Sequence, residues 1–151
     1  MEDRFRNGKP ARAGYRARQV KGFLDTNVLV YAFQPDDGKA DKAFALLNGA
    51  NYLGVQSLNE FALAARRRLR MQWPEINRAL AVLQDLVPKP VPLTLDIHRG
   101  GIGLAERYDL GIYDSLLLSA ALSIGCSIFW SEDMHDGLVI DGRLTIRNPF
   151  V

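Results

Sequence analysis

Cysteine and histidine are nearly missing from this chain, which has one cysteine and two histidines in 151 residues. A single cysteine, Cys126, excludes an intramolecular disulfide, and its apolar surroundings predict packing rather than reactivity. His98 has neither acids nor a second histidine at ligand spacing, so it reads as a surface side chain rather than a zinc ligand. Long apolar runs are also absent. Nothing approaches the ~18 consecutive apolar residues of a membrane span, and the N-terminus lacks the apolar core of a secretion signal. Together these absences predict a cytoplasmic protein with no membrane partner. There is no internal repeat and no low-complexity tract.

What is present suits one soluble α/β domain. Apolar residues make up 48% and charged residues 24%, with 7 prolines and 13 glycines, ordinary values for such a protein. A chain of this length buries roughly 70% of its unfolded surface, enough for a real core. The net charge of +2 hides an asymmetry. Residues 1–20 hold six basic side chains against two acids, and the remaining residues hold 13 against 15. The division expected is a basic, flexible arm over 1–20, usable on a polyanion or simply solvated, and a mildly acidic domain over 21–151.

Alternating strand and helix patterns run through that domain. Gly22-Phe23-Leu24-Asp25 reads as a short buried strand ending in a carboxylate, followed at once by a helix with apolar positions Val28, Leu29, Tyr31, Ala32 and Phe33. A turn at 34–38 leads to a helix over 39–47, and residues 52–55 read as the second strand. Ser57 then opens a helix through Leu69 that ends in Arg66-Arg67-Arg68-Leu69-Arg70. That run suits either a solvated helix terminus or a phosphate-contacting patch. Pro74 starts a further helix ending before Pro88, so the two form a helical hairpin. Residues 91–93 are expected as a brief third strand. A helix over 95–108 is weakened by Gly100, Gly101 and Gly103, by up to ~1 kcal/mol each relative to Ala. The helix from Tyr113 is apolar on nearly every side and should be buried. Residues 126–130 form the fourth strand, with Trp130 expected in the core. In the tail, Asp141-Gly142 permits a hairpin, but the interruption at Asp136-Gly137 favours a loop leading into one last edge strand at 144–146.

Four acids recur where strands end and helices begin: Asp25, Glu60, Asp114 and Asp133. Each has an individual structural explanation. Asp25 can cap a helix, Ser57 and Glu60 have capping-box spacing, and Asp114 sits where a helix dipole welcomes an acid. Right-handed crossovers in a parallel sheet would nevertheless bring all four to one edge, where ligands bind in open α/β folds. Clustered carboxylates repel unless a cation compensates them, and an all-oxygen set favours Mg²⁺ or Mn²⁺ over zinc. Such an ion lowers the pKa of a bound water and offsets charge on a phosphoryl oxygen. Thr26, Asn27 and Ser131 stand beside the acids and can orient ligands or water. Glu132 and Asp136 flank Asp133 and could share its role.

The ordered set Phe23-Leu24-Asp25-Thr26-Asn27-Val28-Leu29, Ser57-Leu58-Asn59-Glu60-Phe61, Tyr113-Asp114-Ser115-Leu116-Leu117 and Trp130-Ser131-Glu132-Asp133-Met134 resembles the PIN-domain nucleases, most closely the VapC-like toxins of bacterial toxin-antitoxin pairs. Arg147-Asn148-Pro149-Phe150 is similar to the family's usual ending, so the resemblance covers about residues 22–150. The arm before Gly22 is a departure, because family members usually begin a few residues before the first Asp. The resemblance implies a three-layer α/β/α sandwich around a parallel sheet of four or five strands. It also implies Mg²⁺- or Mn²⁺-dependent cleavage of RNA phosphodiesters, homodimers, and inhibition by a small antitoxin. Asp25, Glu60, Asp114 and Asp133 would be the metal-binding catalytic acids, supported by Thr26, Asn27 and Ser131. Two competing readings are a non-catalytic RNA-binding module of this family and a metal-dependent phosphatase. All four acids being present argues against the first. The missing second Asp two residues after Asp25 argues against a haloacid-dehalogenase type of the second.

Overall fold

The computed structural model describes residues 20–34 and 38–151. The basic arm expected over residues 1–20 therefore lies outside the described residues except for Val20, as does most of the turn at 34–38. Among the described residues no helix is long and apolar enough to cross a membrane.

Five strands form one sheet in the order β2-β1-β3-β5-β4. They are β1 (Gly22–Leu24), β2 (Asn51–Tyr52), β3 (Ile128–Trp130), β4 (Val139–Ile140) and β5 (Leu144–Arg147). All neighbours run parallel except β4, which pairs antiparallel with β5 at the edge. Side chains alternate across β1, and this places the two cores. Phe23 packs with Leu117, Leu118, Phe129 and Ile146 on one face. Leu24 packs with Leu29, Leu53, Phe61 and Ile76 on the other. The central strand β1 is buried on both faces, as a parallel sheet requires, and the molecule is the three-layer α/β/α sandwich expected.

Helices α1 (Thr26–Ala32), α2 (Lys39–Leu47), α3 (Val55–Arg67) and α4 (Trp73–Leu86) contribute to the core built on Leu24. Helices α5 (Leu95–Tyr108) and α6 (Ile112–Ser123) contribute to the opposite one. In α6 every residue from Ser115 to Ala121 is buried, as its apolar composition required. The glycines of α5 have a packing reason. A Cβ on Gly101 would lie 2.8 Å from Leu116 Cδ2, and one on Gly100 would lie 2.5 Å from Ser119 Oγ. Small residues there let α5 and α6 approach closely.

Several expectations are corrected. Residues 91–93 form no strand; Val91 makes a single parallel bridge to Gly54. The Val91 amide donates to Leu53 O and its carbonyl accepts from the Val55 amide, both at 2.9 Å, after which the prolines prevent further pairing. Val55 belongs to α3 rather than to the second strand. The tail is a hairpin, in which Asp141, Gly142 and Arg143 connect the paired Ile140 and Leu144 and both Asp141 and Gly142 take positive φ, 50° and 66°. β5 is consequently an inner strand, with β4 at the edge. Cys126 precedes β3 and is buried, and burial pushes its thiol up to about 11, consistent with packing. Trp130 is only partly buried, against the core built on Leu24.

Candidate active site

The chain leaves β1 toward β2 on one side, and returns through α3 to α6 to β3 on the other. The carboxyl ends of β1 and β3 thus flank a topological switch point, the place where open α/β sheets bind ligands. Asp25 stands there, 5% exposed, its amide donating to Trp130 O at 3.0 Å. It occupies the N-cap position of α1, but an ordinary cap would bond the amide of the second or third helical residue. Instead one carboxylate oxygen accepts the Thr26 N–H at 2.7 Å. The other accepts the Ser131 hydroxyl at 2.6 Å and the Asn27 amide at 3.3 Å.

Ser131 is fully buried, and its oxygen also accepts the amides of Asp133 and Met134 at 3.2 and 3.3 Å. One hydroxyl therefore shapes the turn after β3 and fixes Asp25. Asn27 Nδ2 donates to Asp133 Oδ2 at 3.0 Å, which ties the fourth acid to the first. Glu132 is drawn elsewhere, bonded to Lys39 Nζ and to the Tyr31 hydroxyl, and these partners hold its carboxyl below the usual range. Asp136 accepts the Asn148 amide at 2.9 Å. Of the three neighbouring acids, only Asp133 faces the cavity.

The capping-box expectation for Ser57 and Glu60 fails because α3 begins three residues earlier, with Gly54 rather than Ser57 at its N-cap. Ser57 lies inside the first turn and its hydroxyl accepts the Gly54 amide at 3.0 Å. Glu60 has no capping duty. It accepts a 3.5 Å bond from Thr26 Oγ1. Asp114 lies in the first turn of α6, half-buried.

Asp25, Thr26, Asn27, Glu60, Asp114 and Asp133 line one cavity of about 330 Å³. Leu63, Ala64 and Arg67 of α3, with Arg68 at its C-terminus, complete the lining. Sequence reasoning left the arginine run open, and the signal that places part of it was the helix period. Glu60, Ala64 and Arg67 fall at i, i+4 and i+7, on one face.

Burial is the main influence on these acids, and mutual repulsion adds to it. Burial, with the nearby charges of Asp114 and Asp133, raises Asp25 from 3.8 to about 6 despite the Ser131 and Thr26 bonds. Burial, with the charges of Asp25 and Asp114, raises Glu60 from 4.5 to about 7. Asp114 is raised by burial and by Asp133. Acids so disfavoured as anions sit in a site that a cation would relieve, and their oxygens are the donors a hard divalent ion prefers. Among the described residues no three of the Asp, Glu, His and Cys side chains converge as a ready-made metal cluster. The donors fit such an ion in chemistry, and the carboxylates must draw in around it.

Comparison with known proteins adds a family. The family model described as PIN domain matches residues 22–135. Curated proteins give no match. Among solved structures, a toxin-antitoxin complex from Klebsiella pneumoniae superposes with TM-score 0.65 at 18% identity, covering 85% of this chain and 98% of that one. VapBC2 from Rickettsia felis, bound to a DNA fragment from its promoter, gives 0.62 at 16% identity over 85% and 98%. VapC20 from Mycobacterium tuberculosis, a sarcin-ricin-loop-cleaving toxin, gives 0.61 at 17% identity over 74% and 91%. At these identities the likeness is one of fold.

Proposed function

The chain belongs to the PIN-domain family, and from that premise we propose that it is a divalent-cation-dependent endoribonuclease acting as the toxin of a toxin-antitoxin pair. The observation that carries this reading is the shared cavity. Four acids from separate segments face it, and the acids of highest burial and mutual repulsion are raised toward neutrality. Toxin activity and a small antitoxin partner rest on likeness to the toxin-antitoxin structures and on the sequence resemblance, a homodimer rests on that resemblance alone, and a cytoplasmic location rests on the missing export signal and the single cysteine.

Asp25, Glu60 and Asp114 would hold Mg²⁺ or Mn²⁺, with Asp133 assisting directly or through water. When bound, such an ion acidifies a water and neutralises charge on the phosphate. The chain's own side chains do the positioning. Ser131 and Asn27 fix the Asp25 carboxylate, and Thr26 steadies Glu60. Arg67 and Arg68, which line the same cavity, suit phosphate oxygens of the RNA backbone, to which guanidinium groups can bond in pairs. Neither arginine has an ion pair with another described residue.

The test is cleavage of a labelled RNA panel by the purified protein in Mg²⁺, Mn²⁺ or EDTA, with Asp114→Asn alongside. Cleavage that needs the cation and is lost in the variant is expected. A folded, cation-loaded protein that leaves every RNA intact would move the weight to a non-catalytic RNA-binding role.

A further inference from the structure

Tyr113 and Asp114 are chain neighbours with opposite surroundings. Asp114 faces the acidic cavity, whereas Tyr113 stands 61% exposed in the first turn of a helix that is buried from Ser115 to Ala121. Leu63 of α3, 50% exposed, borders the same hollow as Tyr113. The two line a second depression of about 320 Å³, together with Gln56, Asn59 and Glu60. Glu60 and Leu63 belong to both hollows, so they adjoin along one wall.

We propose that this second depression is a binding subsite for one unpaired nucleobase of the RNA, next to the phosphate held at the acids. The proposal rests on the nuclease reading and names a substrate contact within it. Single-stranded RNA is commonly held by stacking its bases on aromatic rings while cations hold its backbone. Tyr113 offers a ring and Leu63 an apolar surface against it. Asn59 is exposed and its side chain hydrogen-bonds to no described residue, so the side-chain amide is available to a base edge. An amide of this kind presents a donor and an acceptor together, as base-edge recognition requires. Gln56 and Glu60 line the same hollow, so a base bound there sits against a catalytic acid. A base is favoured over a partner helix as occupant because the hollow is small and continuous with the acidic cavity.

The experiment measures binding of short, labelled single-stranded RNA to the full chain in Mg²⁺, with Asp25→Asn as the common background to prevent cutting. Tyr113→Ala, Tyr113→Phe and Asn59→Ala are compared on intact RNA and on RNA with one abasic sugar moved along the strand. Tyr113→Ala should weaken binding about tenfold or more, the scale of losing one stacked base, and Tyr113→Phe should retain it. At one abasic position the penalty of Tyr113→Ala should vanish. Asn59→Ala should change which base is preferred at that position. Tyr113→Ala that binds as tightly as its parent, or that loses equally on every abasic RNA, overturns the subsite alone. A change in oligomeric state with RNA binding unaltered also overturns it, and assigns the face to a second copy of the chain. An Asp25→Asn parent that binds no RNA, with an unsubstituted chain that cuts none, removes the nuclease reading and the subsite together.

Discussion

Asp25 and Ser131 form the contact on which the site turns, and two predictions belong to them. Asp25 is raised from 3.8 to about 6 and Glu60 from 4.5 to about 7. Between those limits the folded chain binds more protons than the unfolded one, so without a cation its stability falls as pH rises from about 4 to about 7. Asp25→Asn removes the buried charge while leaving an oxygen for the Ser131 hydroxyl. In EDTA at pH 8 it should stabilise the fold by about 1–2 kcal/mol, with no gain near pH 4, while abolishing cleavage. Thermal melts at the two pH values check this, and a variant destabilised at pH 8 would contradict it. Ser131→Ala should cost about 1–3 kcal/mol in chemical denaturation, because it strands Asp25 and two backbone amides in the interior. Neither effect is visible in sequence. Asp25 was recognisable from its motif, but its burial depends on β3 lying beside β1.

At the scale of elements, α3 carries acid and arginine on one wall, and α5 carries the glycines that admit α6. Replacing Arg67 and Arg68 together by Ala should weaken RNA binding about equally for all sequences. It should also flatten the slope of log affinity against log salt by about 1.4, for two phosphates on a single strand. An unchanged slope would show that these arginines touch no phosphate. In α5, Gly101→Ala and Gly103→Ala should act in opposite directions. A Cβ at 101 meets the Leu116 side chain at 2.8 Å and its backbone at 3.3 Å, whereas one at 103 meets only the end of Arg107. Overpacking at 101 costs about 1–3 kcal/mol and exceeds the ~1 kcal/mol of helix propensity gained. At 103 the propensity gain stands alone, so this variant should be the more stable by melting temperature. The helix period disclosed both helices, and the glycines there looked like weakness in α5. Only the packing partner, Leu116, gives them a purpose.

For the whole molecule, binding of Mg²⁺ or Mn²⁺ should stabilise the fold and release protons, because the acids must ionise to hold the ion. The rise in melting temperature over EDTA should therefore be larger at pH 8 than at pH 5. Calorimetry in buffers of different ionisation enthalpy should count the released protons. A melting temperature indifferent to cation at both pH values would remove the acids from the role assigned to them. The sequence by itself determined the α/β alternation, the buried α6, the buried first strand and the positions of the four acids along the chain. These are properties of local pattern, because apolar period and turn chemistry act within a few residues. Only the tertiary structure decided which groups meet. Strand order brings Ser131 beneath Asp25, an earlier start to α3 frees Glu60 from capping, and Lys39 with Tyr31 draws Glu132 away from the cavity, leaving it to Asp133. Each joins segments far apart in the chain or depends on a helix boundary set by the bridge to Val91. Spacing along the chain carries no record of such contacts.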